Sequence, residues 1–294
     1  MKNILNPILY YLIIIPISLL PFPVLYAISD FLFVIFYYVS GYRKKVVLQN
    51  IRNSFPEKSE KEHLAICKKF YRHFSDLVVE SIKTFTISEK QVLKRFFVLN
   101  PEVIDKYFDQ NRSVFIAGGH FNNWELLAVG IDNWVKHKTV GIYTPLSNKY
   151  FDGKMQLTRS KYGLKMISTR TVKRFLDSNP NELTATIFAI DQSPSNPNSA
   201  YWMTFLNQET AVLYGVEKYA KEYNYPVVYG IINKVKRGHY NLELVDVTAN
   251  PKETAYGEII EKTQHLLEID IRKNPEYWLW THKRWKHKKP AVNK

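Results

Sequence analysis

The sequence predicts an α/β protein, a mixed sheet flanked by helices, preceded by an N-terminal hydrophobic membrane-anchor segment. Three observations predict it. Residues 4–39 contain no Lys, Arg or Glu and a single acid, Asp30. From residue 59 onward apolar residues recur first at helical spacing, then in short strand-like runs separated by helical patterns. The chain has 294 residues, a length that fits one large domain or two small ones with ample room for a core. The expected organisation is an anchor over 1–40, one globular domain over 41–287, and a disordered basic tail over 288–294.

The N-terminal run is too long for a signal peptide and has no small-residue cleavage site after a short apolar core. Pro16, Pro21 and Pro23 break it into two helices, over roughly 4–20 and 23–39. A spanning helix needs about 20 apolar residues. One reading is a single span, or a hairpin dipping into one leaflet; the other is a pair of buried core helices. Membrane attachment is expected, because the run is long, nearly uncharged and rich in Tyr, which favours membrane interfaces. Arg43, Lys44 and Lys45 follow at once, which places the remainder on the cytoplasmic side.

Residues 59–86 place Leu64, Phe70, Phe74, Leu77, Val78 and Ile82 at helical spacing, with Ser59 and Glu62 as a capping box. Strands are expected at 113–117, 139–143, 184–190, 226–232 and 240–247. Helices are expected at 123–136, 147–161, 171–178, 210–223 and 252–273. The last two strands should form a hairpin through "KVKRGH", where Gly238 allows a tight turn.

Lys and Arg total 41 against 27 Asp and Glu, a formal charge of +14 that favours anionic partners. No helix-turn-helix, zinc-finger or RNP-type signature accompanies the charge, so an anionic membrane surface is expected and nucleic acid is not. The lone cysteine, Cys67, cannot form an internal disulfide and sits in a helical pattern as a packed apolar residue. The eight histidines are scattered without H-E-x-x-H, so no metal site is expected.

The stretch with chemical content is "GGHFNNWE", at the end of the strand "SVFIA". Gly118 and Gly119 allow a tight turn or the close approach of another backbone. Asn122 or Asn123 can cap the helix that follows. On one continuous helix, positions 120 and 125 would point about 140° apart; a turn at His120 lets the Glu125 carboxylate reach the imidazole. Such a pair suits general-base catalysis, with the carboxylate fixing the tautomer. No Ser or Cys stands beside it and there is no G-x-S-x-G, so the attacking hydroxyl would be a substrate's. A plain helix start, with His120 at the cap and Glu125 favoured by the helix dipole, accounts for the spacing equally well.

Five segments in order resemble the late acyltransferases of lipid A biosynthesis, the lauroyl and myristoyl transferases, within the lysophospholipid acyltransferase group. They are "GYRKKVVLQNIRNSFPE", "GGHFNNWE", "YFDGKMQLTRSKYGLKMI", "FAIDQSP" and "NPEYWLWTHKRWK". The resemblance implies a glycerolipid acyltransferase-like fold over 41–287. It implies an acyl carrier protein thioester as donor, a lipid hydroxyl as acceptor, no cofactor, and a place on the cytoplasmic face of the cell inner membrane. His120 would be the general base oriented by Glu125; Arg159, Asp191 and Asn123 would bind substrate. Arg159 would hold a phosphate or the reacting oxyanion, unless it is a solvated helix charge; Asp191 would hold Arg159 or its loop, unless it only starts a turn. Trp278, Trp280, Arg284 and Trp285 would pack near the membrane interface or close the core. The loop "DQSPSNPNSAYWMTFLNQET" departs from the family's "VPF"-like turn, reading "MTFLN". That leaves an amino-acid lipid or another glycolipid as acceptor, and lipid or thioester hydrolysis as the other use of such a pair.

Overall fold

A computed structural model describes residues 2–178 and 181–290; of the expected tail, residues 291–294 lie outside the described residues. The N-terminal segment forms two helical runs that break at Leu20 and Pro21, as the prolines require. The first joins α1 (Lys2–Leu9), a π-turn (Tyr10–Ile14) and α2 (Ile15–Leu19); the second joins α3 (Phe22–Val34) to a π-turn (Ile35–Val39). Phe22–Val39 is long and apolar enough to cross a membrane. The helices α4 (Lys44–Ser54) and α5 (Glu60–Thr84) follow, and α5 opens with the expected Ser59–Glu62 capping box.

The remaining elements alternate. They are α6 (Glu89–Leu93), β1 (Phe96–Val98), α7 (Glu102–Asp109), β2 (Val114–Gly118), α8 (Trp124–Gly130), β3 (Lys138–Tyr143), α9 (Lys149–Arg159), β4 (Lys165–Ser168), α10 (Val172–Ser178), β5 (Thr184–Ala189), β6 (Tyr201–Phe205), β7 (Gln208–Val212), α11 (Gly215–Tyr223), β8 (Val227–Lys236), β9 (His239–Thr248) and α12 (Glu258–Lys273). The main sheet has the order β1-β9-β8-β2-β5-β3-β4. It is parallel throughout except where β8 and β9 pair antiparallel across the Gly238 turn, so it is the expected mixed sheet.

Strand alternation gives the sheet two apolar faces. Phe115 and Ala117 of β2 face a core shared with α5, α11 and α12, while Val114 and Ile116 face one shared with α6, α7 and α8. The N-terminal segment joins both cores, through Phe33 in the first and Phe22 in the second. Its α3 runs antiparallel along α5, with Tyr26 bonded to Glu80, Ser29 to Asp76, and Arg72 over the Phe33 ring. The opposite faces of both runs leave Leu12, Phe31 and Val39 exposed.

Three expectations are corrected. Residues 210–212, expected as helix, belong to the strand β7, because Leu206 and Asn207 both take positive φ and close a tight β6–β7 hairpin before α11 begins. The helix expected to reach 136 stops at Gly130, which packs so tightly that a Cβ would meet Phe96 and Val92 within 3.0 Å, and continues only as a 3-10 turn. The last helix begins at Glu258 rather than 252, after Gly257 at φ 87°. The short strands β1 and β4 carry too few residues to show a period.

Candidate active site

The site lies where β2, β3 and β5 end at the same edge of the sheet, the usual place for a ligand crevice in parallel sheets. A cleft of about 760 Å³ opens there, with Leu127, Leu164, Met166, Val172 and Ile187 among its apolar lining and His120, Arg159 and Gln192 among its polar lining.

β2 delivers the turn. Its glycines serve close approach rather than unusual φ. A Cβ on Gly118 would lie 2.9 Å from the Gly230 carbonyl oxygen, and one on Gly119 would lie 2.8 Å from Leu267 and 3.3 Å from the Asp191 carboxylate. The positive φ falls instead on Asn122, at 55°. Asn123 then caps α8, its Oδ1 accepting from the Leu126 N–H at 2.8 Å.

The neighbouring strand β5 delivers Asp191, two residues past its end. The carboxylate is buried against the turn and accepts three hydrogen bonds. The His120 backbone N–H and the Trp278 indole N–H donate to Oδ2 at 2.7 and 2.9 Å, and His120 Nδ1 meets Oδ1 at 2.7 Å. The His120 and Trp124 rings pack T-shaped, and Nε2 comes within 3.4 Å of the Gln192 amide at the cleft. With the Nδ1 proton donated to Asp191, Nε2 carries its lone pair on the cleft side, where the Gln192 amide is its neighbour. Burial works against the imidazolium, but the Asp191 charge and hydrogen bond outweigh it, so the His120 pKa is raised; Glu125 adds to this and Arg159 opposes it. Burial would raise Asp191, yet the His120 charge and hydrogen bonds hold it at about 2.

The expected contact between Glu125 and His120 is not made: the acid bonded to the imidazole is Asp191. Glu125 sits in the first turn of α8 and points to α9, where the Arg159 fork takes both its oxygens: Nε to Oε2 at 2.9 Å and Nη2 to Oε1 at 2.6 Å. Arg159 lines the cleft, with its pKa raised by Glu125 against the effect of burial. Asp191 is not bonded to Arg159 and does not line the cleft; it stands behind the imidazole. Asn123 does not reach the cleft either, because its Oδ1 is the helix cap and its Nδ2 donates to the buried Glu80 at 2.6 Å.

The closing block is core. Trp278 and Trp280 are buried, and Arg284 donates to the Ala211 carbonyl. The bond from Trp278 to Asp191 has no short-range sequence signal, since 87 residues separate them. His282 holds the loop after Asp191 by accepting from the Ser193 N–H. Among the described residues, no cluster of three or more His, Cys, Asp or Glu could hold a metal ion.

The family model "Bacterial lipid A biosynthesis acyltransferase" matches residues 3–287. The chain is 21% identical over 274 residues to the lipid A biosynthesis lauroyltransferase of Escherichia coli (strain K12), covering 93% of this chain and 89% of that protein. A cleft at the strand ends, a histidine poised over it and a match over nearly the whole length place the chain in the bacterial lipid A biosynthesis acyltransferase family, and acyl transfer is the activity that membership indicates.

Proposed function

We propose that the protein moves a fatty acyl chain from an acyl carrier protein thioester to a hydroxyl of a lipid A precursor or a related lipid. The observation that carries this is the His120–Asp191 pair, with Nε2 opening on a largely apolar cleft. His120 Nε2 takes the hydroxyl proton as that oxygen attacks the thioester carbonyl. The tetrahedral intermediate collapses with loss of the C–S bond, and the imidazolium returns its proton to the departing thiolate. Asp191 keeps the Nδ1 proton in place and offsets the charge that forms on the ring. Arg159, held rigid by Glu125, presents positive charge at the cleft wall for a phosphate or the developing oxyanion. The apolar lining suits an acyl chain.

The same reading places the protein on the cytoplasmic face of the inner membrane. It is supported by the exposed apolar faces of both N-terminal runs and by Arg43, Lys44 and Lys45 beyond them. Mass spectrometry of membrane lipids from cells lacking and overexpressing the protein tests the acceptor. A lipid that gains one acyl chain only when the protein is present is expected. Free fatty acid as the sole product of the purified enzyme, with acceptor supplied, would overturn transfer in favour of hydrolysis. Full activity of purified His120→Ala with the thioester donor would overturn the mechanism.

A further inference from the structure

One buried acid takes no part in the chemistry above. Glu80, on α5, is 2% exposed and has no cation bonded to it among the described residues. It accepts three hydrogen bonds from three different elements. Asn123 Nδ2 and the Tyr240 hydroxyl of β9 donate to Oε2 at 2.6 and 2.8 Å; the Tyr26 hydroxyl of α3 donates to Oε1 at 3.0 Å. Burying a carboxylate is costly, and a leucine would pack at the same place without that cost.

The carboxylate does what no apolar residue could. An asparagine amide can present either end to a neighbour. A carboxylate only accepts, so it forces the Asn123 NH₂ towards α5 and the Asn123 Oδ1 towards the Leu126 N–H that it caps. That cap adjoins Asn122, which takes the left-handed region at φ 55° and is held there by its own bonds to the Tyr277 and Ile232 carbonyls. The turn is pinned on its far side by Asp191 and by the Tyr277 carbonyl, which accepts from the Asn122 N–H at 2.9 Å. Glu80 supplies the pin on the near side.

We propose that Glu80 is a positioning residue for the His120 turn, and that through Tyr26 it ties that turn to the apolar N-terminal helix. The inference rests on reading His120 as the base. Its test uses full-length protein in detergent at pH 8. There the carboxylate, pushed up to about 7 by burial and then by Asp76 against its three hydrogen bonds, is ionised.

Glu80→Gln should lower kcat for transfer from acyl carrier protein thioester about tenfold or more, with KM within about twofold, as a small misplacement of a catalytic group does. Tyr26→Phe, which leaves two of the three bonds and the fold intact, should lower kcat about threefold. A serine at 123 caps the helix without needing Glu80. In an Asn123→Ser background, Glu80→Gln should therefore change kcat by less than about twofold. The ¹⁵N-monitored titration of His120 should shift in Glu80→Gln by about half a unit or more. An unchanged kcat in Glu80→Gln, or an equal loss in the Asn123→Ser background, would overturn the proposal. A wild-type protein with no turnover counts against the acyl-transfer reading instead, and the His120 titration then decides whether Glu80 positions the ring.

Discussion

Replacing Asp191 by asparagine separates the two carboxylates that stand near His120. Asn is isosteric, but its NH₂ would face Nδ1 and favour the tautomer with the proton on Nε2, which cannot accept one from substrate. The charge effect can be sized from the 2.7 Å contact. At a centre-to-centre distance of about 4 Å and an effective dielectric near 20, the carboxylate stabilises the imidazolium by about 4 kcal/mol. If that charge is fully developed in the transition state, its loss costs about three decades in kcat. The sign of the pH effect follows. His120 has a raised pKa, so the wild-type rate should climb with pH through an apparent pKa above 6.5 as the base becomes neutral. In Asp191→Asn that inflection should move down, because the group that favoured the imidazolium is gone. The assay is kcat against pH with a labelled thioester donor, with melting temperature as a control for folding. The reasoning is refuted if Asp191→Asn keeps more than about a tenth of wild-type kcat while Glu125→Gln moves the pH inflection, since that would assign the orienting role to Glu125.

Other sites give independent expectations. Arg159→Lys keeps the charge but loses the two-point grip on Glu125, so kcat/KM should fall about 10–100-fold in steady-state kinetics, with the fold retained. Gly141 lines the cleft on β3, and a Cβ there would lie 3.2 Å from Met166 and 3.3 Å from Leu164. Gly141→Val should shift donor preference to shorter chains in a competition assay, by about fourfold in kcat/KM per methylene displaced, equivalent to about 0.8 kcal/mol each. On α11, whose Gly215 and Val216 line the cleft, the fully buried Glu217 points away to accept from the Gly257 and Ile260 N–H groups at the start of α12. Glu217→Ala should cost about 3 kcal/mol and lower the melting temperature by about 5 °C, with kcat per folded molecule unchanged.

What the sequence made legible follows from how far apart the cooperating residues lie. The five long strands, the Ser59 capping box and the proline break at Pro21 all rest on patterns contained in a dozen residues, and they stand in the structure. The H-x4-E spacing points to the turn at the cleft, but the acid it contains is not the one bonded to the imidazole. Within eight residues, Glu125 was the only acid on offer, whereas the acid that bonds Nδ1 lies 71 residues on. The two meet because β2 and β5 are neighbours in register, Gly118 opposite Ala189, which no local period reveals. A usable hint did lie in the glycines. Gly119 leaves 3.3 Å between a would-be Cβ and the Asp191 carboxylate, so a pair of glycines at a strand end marks a place where something must come close. What comes close is the missing acid. The two acids come from different strands' ends and divide the side chains between them: Asp191 bonds the imidazole, and Glu125 bonds the guanidinium beside it. The proposed reaction brings a hydroxyl, a thioester and a lipid headgroup to one site, where a base and a cation held by separate carboxylates can each be adjusted without unseating the other.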